Sequence, residues 1–332
     1  MVILRAHMCP GLELQLVRDL RAADISTVEE LVSTDLEVLA QKCSVSYKAL
    51  LAIRRVLLAQ HTAFPVSGAD LYEDLLNSTA ILSTGHPRLD ELLDSGLYTG
   101  ELTELSGGPG TGKSQVCFGV AVHIALHLKH AVIFIDTTGG ITGSRLQQMI
   151  QTESSSLEEQ MATLQRIHVF RVFDVFSLLD CVCSLRRSGL QPVSVGGACV
   201  RAIIIDSVSA VVSPLLGSRH TEGMSLMMQL AVLLKALVKD FSVAALVTNH
   251  VTRSVGGAVR PALGVSWSHV PRTRLLLEGP SQSAHSLSSW RSATLIKSSR
   301  QPCHMRVEFD LSWWSRSQEA PSAKRKHPET TG

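Results

Sequence analysis

Gly107-Gly108-Pro109-Gly110-Thr111-Gly112-Lys113-Ser114 is the stretch on which the fold turns. It satisfies G-x-x-x-x-G-K-[ST] at every fixed position, and its flanks supply the context that this pattern needs. Residues 101–106 alternate as a strand does, and residues 114–129 place Val116, Val120, Ile124 and Leu128 at helical spacing. Strand, glycine loop and helix together build an anion site. Glycines let backbone N–H groups turn inward, and the start of the helix adds its positive end. Lys113 then reaches toward the outer phosphates, and Ser114 offers its hydroxyl to Mg²⁺.

Outward from the loop, strands and helices alternate. Residues 131–136 and 200–206 are continuous apolar runs, each ended by a carboxylate, Asp136 and Asp206. Residues 242–249 form a third such run, and 166–170 a short one. Helical patterns cover 144–150, 174–187 and 223–240. Continuous apolar strands separated by helices imply an α/β fold, a mostly parallel sheet with helices on both faces. Residues 274–277, 293–297 and 305–309 follow with little helix between them, which predicts an antiparallel extension. Asp206 ends its strand at the carboxyl edge, where such sheets bind ligands, and there it would steady the Mg²⁺ opposite Ser114. The plainer reading of Asp206 is a cap on the turn before Pro214.

Before this core, residues 11–60 read as a small helical domain. Leu12, Leu16 and Leu20 share a face; Ser26 or Thr27, Asp35 and Ser46 stand where helix caps belong. Arg54 and Arg55 suit a solvated face or a small DNA-contacting patch. Residues 61–83 loosen into a linker with one short helix at most. Leu89, Leu92 and Leu93 then form a short helix ending near Gly96. The expected organisation is 1–60 helical domain, 61–83 linker, 84–314 ATPase-like core and 315–332 disordered tail. Residues 190–198 read as an excursion. Lys324-Arg325-Lys326-His327-Pro328 in the tail suits a nuclear-import signal or a merely solvated terminus.

Bulk numbers narrow the function classes. A net charge of +2 over 332 residues excludes a surface that is basic as a whole, so polyanion contact must come from local patches. Seven cysteines without a C-x-x-C pair predict reduced thiols, mostly in the core, rather than a zinc ribbon or disulfide framework. No secretory signal is expected near Arg5 and His7, and no membrane span, since His123 and His127 interrupt the apolar helix after the loop. Those histidines stand four apart, a spacing that suits a metal pair or a polar helix face; no pattern places a third ligand.

Thr84-Gly85, Leu89-Asp90-Glu91-Leu92-Leu93, Gly96, Thr99-Gly100-Glu101, the glycine loop followed by Gln115, and Thr248-Asn249-His250-Val251 resemble the RecA-type recombinases of eukaryotes and archaea. The resemblance spans residues 3–312. Residues 50–60, 81–85 and 297–302 narrow it to paralogues of the strand-exchange recombinase, nearest the D-type. It implies a RecA-like P-loop ATPase core with ATP and Mg²⁺ as cofactors, and nucleotide held between adjacent protomers. Residues 107–114 and Gln115 match the near side of that site, with Asp206 as its second metal-shell residue. Arg145 matches an arginine that packs on adenine. Asn249 and His250 fall at the γ-phosphate sensor, where the family usually has Asn-Gln. Pro302 matches a proline that caps the nucleotide across the interface. Residues 213–223 and 252–265 match loops that contact single-stranded DNA, with Arg219, Arg253 and Arg260 as their cations. The resemblance also implies homologous recombination repair in the nucleus, with other recombinase paralogues as partners.

The departures shape the expected activity. Members that hydrolyse ATP well carry a Glu two residues after the Asp of the preceding strand; here that slot is Thr138. Threonine is no general base near neutral pH, so ATP binding with little turnover is expected. The turn Cys43-Ser44-Val45-Ser46 lacks the glycines with which the family approaches a DNA phosphate. Val66 and Ala69 stand where recombinases carry Phe-x-x-Ala, and a smaller anchor favours mixed partners over self-assembly. Three readings follow: a mediator within a paralogue complex, a DNA-dependent ATPase or recombinase in its own right, or a structural subunit whose nucleotide never turns over. Trp267, the one aromatic near the second loop, suits the core better than base stacking.

Overall fold

The computed structural model describes residues 2–61, 67–190, 197–218, 220–253, 259–279 and 289–315. Four helices open the chain: α1 (Leu14–Ala22), α2 (Val28–Ser33), α3 (Leu36–Cys43) and α4 (Tyr47–Gln60). Their starts are where the side chains dictate. Thr27 and Glu30 form a reciprocal capping box on α2, Asp35 caps α3 and Ser46 caps α4. Leu4, Leu20, Leu31, Leu50 and Leu57 close a separate small core among them. In the turn between α3 and α4, Ser44 takes φ +53, a left-handed position that glycine usually fills. Arg55 is exposed and Arg54 partly so.

Within the span expected as linker, α5 (Gly68–Ser78) is a full eleven-residue helix capped by Ser67. Leu71, Tyr72, Leu75 and Leu76 on it are all more than half exposed. Val66 lies outside the described residues; Ala69 is exposed on α5. Then follow β1 (Ile81–Leu82), α6 (Pro87–Leu92), β2 (Leu97–Tyr98), β3 (Leu102–Gly107), α7 (Lys113–Leu126), β4 (Ala131–Asp136), α8 (Gly143–Glu153), α9 (Leu157–Gln165), β5 (Ile167–Arg171) and α10 (Val175–Arg187). The chain continues through β6 (Val200–Asp206), α11 (Val208–Ser218), α12 (His220–Phe241), β7 (Ala244–Asn249), β8 (Val251–Arg253), β9 (Val259–Pro261) and α13 (Gly264–Ser268). It ends with β10 (Thr273–Glu278), β11 (Trp290–Lys297), β12 (Arg306–Asp310) and a 3-10 turn, Trp313–Ser315.

Eight strands form one sheet in the order β12-β11-β10-β3-β7-β6-β4-β5. The six from β10 to β5 run parallel, and β11 and β12 add the antiparallel extension that the last strands predicted. Side chains alternate between two cores. Val132, Phe134, Ile204 and Leu246 meet α7 on one face, while Ile133, Ile135, Ile203 and Val247 meet α10 and α12 on the other. Among the described residues α12 alone has the length and composition of a membrane span. Met227, Leu230, Leu234 and Leu237 on it are fully buried in the protein core. All seven cysteines are free; Cys9, Cys43 and Cys117 are buried, whereas Cys199 and Cys303 are exposed, so fewer thiols are core than composition suggested.

On α7, Gly119 lies flat beneath the Trp314 indole, where an added Cβ would come within 2.3 Å of the ring. Trp314 is fully buried and has nowhere to shift. We expect Gly119→Ala to destabilise the protein by about 1–3 kcal/mol through overpacking, despite the better helix propensity of alanine. Thermal unfolding measures it, and an unchanged or raised midpoint would contradict this packing.

Candidate functional site

β3 lies between β7 and β10, so its carboxyl end delivers the glycine loop to the middle of the sheet edge. Gly107 ends the strand so tightly that a Cβ there would meet Thr111 Oγ1 at 2.6 Å and the Leu277 carbonyl at 2.7 Å. Gly112 begins α7 with φ +96. The Thr111 hydroxyl donates to the Gly108 carbonyl at 2.9 Å and holds the loop. Lys113 is buried, and its Nζ donates to the carbonyls of Gly107 (2.7 Å) and Gly108 (2.8 Å), which keeps it folded over the loop. Burial pulls its pKa below the ordinary lysine value, and the Asp206 carboxylate opposes that shift.

A cavity of about 370 Å³ opens at this point. Pro109, Gly110, Gly112, Lys113, Ser114 and Gln115 line it from the loop; Thr138, Asp206, Ser207 and His250 come from the ends of neighbouring strands; Arg291 and Leu311 complete it. Asp206 is nearly fully buried, and the Thr248 hydroxyl donates to its Oδ1 at 2.5 Å. The Ser114 hydroxyl and the Asp206 carboxylate are hard oxygen donors that line the same cavity, the donor type that Mg²⁺ takes. The donor set therefore fits a magnesium–phosphate group: these two residues would hold the ion, and Lys113 with the loop amides would hold the phosphates. The bound ion would neutralise phosphate charge.

Asp136, the other carboxylate at a strand end, is committed elsewhere. Its Oδ1 accepts the N–H groups of Thr138 (3.0 Å), Gly139 (2.8 Å) and Gly140 (3.3 Å), and its Oδ2 that of Ile141 (3.2 Å). The loop bearing Thr138 is thus tied to its own strand, and the Thr138 hydroxyl also donates to Asp136 Oδ1. His250 lies on the cavity wall, anchored by its N–H to Ser209 Oγ at 3.0 Å. Burial first and the Lys113 charge second pull its pKa below the usual histidine value.

Asn249 stands apart from His250. It is fully buried, does not line the cavity, and its Nδ2 donates to Glu104 Oε1 at 2.8 Å. Successive residues at a strand end point to opposite sides, so when His250 faces the cavity Asn249 faces the core. Arg145 stands one step outside, its Nε and Nη2 donating to Gln115 Oε1 at 3.1 and 2.8 Å. Pro302 is exposed in the β11–β12 connection, away from this chain's own cavity. Ser207, Arg291 and Leu311 were not foreseen. The last two arrive with β11 and just after β12, and no local pattern gives the register that puts them there.

The family model described as Rad51 matches residues 77–280, which include the whole glycine loop and the strands around it. The chain belongs to the Rad51 family. The model described as the RAD51D N-terminal domain matches residues 1–60. The chain is similar to the protein named DNA repair protein RAD51 homolog 4 of Bos taurus, 54% identical over 312 residues, covering 94% of this chain and 95% of that protein. To the protein of the same name from Mus musculus it is 50% identical over 327 residues, covering 98% and 99%. A more distant relative, DNA repair and recombination protein RadA of Aeropyrum pernix, is 24% identical over 289 residues, covering 81% and 85%.

The described parts of the segments matched to the DNA loops of Rad51-family recombinases are helix and hairpin. Residues 213–223 were expected as a loop; instead 213–218 complete α11 and 220–223 begin α12. Val208, Val211 and Val212 at helical spacing bury one face of α11, and that packing carries the helix through Pro214. Arg219 lies outside the described residues. Arg253 falls in β8 and Arg260 in β9, which pair as a hairpin; Arg260 is exposed, and residues 254–258 lie outside the described set. Trp267 is fully buried, as expected of a core residue. His123 and His127 stack 4.9 Å apart and His127 pairs with Glu153, but no group able to hold a metal occurs among the described residues.

Proposed function

We propose that this chain binds ATP with Mg²⁺ and acts in homologous recombination repair of DNA, inside the nucleus, as one subunit of a complex of Rad51-family paralogues. Within it the chain contacts single-stranded DNA and helps the main recombinase filament to load or persist. The observation that carries this reading is the cavity itself. Lys113, Ser114 and Asp206 keep the means of gripping a magnesium–triphosphate, while Thr138 occupies the position from which water would be activated. A site that binds firmly and turns over slowly suits a subunit whose nucleotide sets the state of an assembly. The relatives' names support the repair context.

Two apolar surfaces support association with partner subunits. One is the run of leucines on α5; the other is Val169, Phe173 and Phe176 beside the edge strand β5, all substantially exposed. Large apolar side chains grouped together in water suit a contact surface for another molecule. The exposed Arg260 on its hairpin supplies charge for a phosphate backbone.

The test combines binding and capture. Lys113→Ala should weaken Mg–ATP binding by about 10- to 150-fold, the loss of one charge-assisted hydrogen-bonding group, about 1.5–3 kcal/mol. Capture of Rad51-family paralogues from cell extract by the full chain should strengthen with ATP and lose that response in the variant. Unaltered ATP affinity in Lys113→Ala would end the reading.

A further inference from the structure

At the sheet edge away from the glycine loop, the amino ends of β3 and β10 open a second cleft of about 460 Å³. The length of β3 separates the two sites, roughly 17 Å at about 3.3 Å per residue. Lys235 and Lys239 line the cleft from α12, Arg272 from just before β10 and Lys297 from the end of β11. Glu101 is the one carboxylate among the lining residues, and it is already shared. Arg272 Nε lies 3.2 Å from its Oε1, and Arg300, which rests 3.4 Å from the centre of the Tyr98 ring, pairs with it as well. Lys297 Nζ donates to the carbonyls of Ser268 (2.9 Å) and Pro271 (2.7 Å), which fix its place without cancelling its charge. Burial first, then the charges of Arg274 and Lys235, pull its pKa below the ordinary lysine value, and Glu104 opposes that shift. Lys235 and Lys239 are exposed and have no carboxylate partner among the described residues.

We propose that this cleft receives an acidic peptide segment of a partner protein, whose glutamate or aspartate side chains pair with Lys235, Lys239 and Lys297. Like charges gathered this closely repel one another, and an anion placed among them removes that cost. The shape favours a peptide over a nucleic-acid strand. Among the lining residues there is no Phe, Tyr or Trp on which a base could stack. The cations also lie at different depths, Lys297 half-buried and the two lysines of α12 at the surface. Carboxylates on separate, flexible side chains reach such an arrangement more readily than the evenly spaced phosphates of a backbone. Leu102, Val238 and Val270 add apolar lining against which the stems of those side chains can lie. The charged run of the chain's own tail, Lys324-Arg325-Lys326, has the wrong sign for this cleft. Because the cleft lies apart from the nucleotide cavity, a peptide there and Mg–ATP should not compete.

The test uses the full chain and fluorescent hexaglutamate, with hexaglutamine and a single-stranded oligo-dT as comparators. Hexaglutamate should bind, less tightly as salt rises, and hexaglutamine should not. Lys235→Ala combined with Lys239→Ala should weaken hexaglutamate by about 10- to 30-fold, the loss of two charge pairs, and Lys239→Ala alone by about three- to fivefold. Both lysines are exposed, so their removal leaves the core intact and Mg–ATP affinity at the parent value. Hexaglutamate that fails to bind the parent, or binds the double variant equally well, overturns the proposal. Displacement of the peptide by Mg–ATP would put it in the nucleotide cavity and overturns it too. Oligo-dT that binds with the same dependence on Lys235 and Lys239 would make the cleft a nucleic-acid site, again overturning it. A parent that binds hexaglutamate but no Mg–ATP supports the cleft and overturns the nucleotide reading alone.

Discussion

Glu104→Ala should lower the unfolding free energy by about 3–5 kcal/mol, because it strands a charge at the centre of the sheet. Glu104 is fully buried on β3, and Arg274 on β10 is nearly so. Nε and Nη2 of Arg274 both donate to Glu104 Oε2, at 2.9 and 2.8 Å, while Asn249 on β7 donates to Oε1. One carboxylate therefore ties the strand of the phosphate loop to both of its neighbours. Burying the pair is itself costly, so its attraction adds little net stability; the penalty comes from removing one partner alone. Glu104→Leu combined with Arg274→Met should accordingly cost far less than Glu104→Ala. Equilibrium denaturation of the three proteins decides it. A loss below about 1 kcal/mol for Glu104→Ala, typical of an exposed pair, would show that water reaches Arg274 in solution.

How far the sequence foretells this arrangement depends on the signal each element carries. β4, and β6 beyond Arg201, are buried on both faces, so they read as apolar runs ending at Asp136 and Asp206, and both strands have those limits. Helix starts at Thr27, Asp35, Ser46 and Asp174 are legible because one side chain satisfies one backbone group locally. α11 is not legible. Ser209, Ser213, Pro214 and Gly217 give it the composition of a loop, and tertiary packing of three valines overrides them. α9 escapes for another reason: Leu157 and Met161 point to solvent while Gln160 and Thr163 are buried, so no apolar stripe marks it. In the site, residues of the glycine loop are legible because the motif is contiguous. Arg291 and Leu311 are not, since their places depend on the register of two antiparallel strands far along the chain. The burial of Asn249 follows from its pairing with Glu104, 145 residues away, which no local pattern contains.

Thr138→Glu should raise ATP turnover by about 10²-fold or more, the lower end of what a positioned general base contributes. Thr138 lines the cavity together with Lys113, Asp206 and His250, so a carboxylate at that position enters the space where water meets the outer phosphate. Neither strand-end carboxylate is free for the task. Asp136 is buried and accepts the N–H groups of its own loop, and Asp206 is fixed by Thr248 and suited to the metal. The loop loses the Thr138 hydroxyl bond to Asp136 but should tolerate the change, because the N–H bonds of residues 138–141 to Asp136 are backbone contacts that glutamate retains. A second negative charge near the phosphates weakens Mg–ATP binding, by about 1 kcal/mol across a solvated cavity. Saturating ATP overcomes that loss of affinity, and because it is smaller than the roughly 2.7 kcal/mol that a 10²-fold gain represents, kcat/KM should rise as well. Thr138→Gln separates shape from basicity: it fills the same volume, cannot take a proton, and should leave turnover at the parent level. The glutamate variant should also lose its gain as pH falls through the carboxylate range, where the base becomes protonated. Equal turnover in the glutamate and glutamine variants would mean that a base at position 138 does not set the slow step.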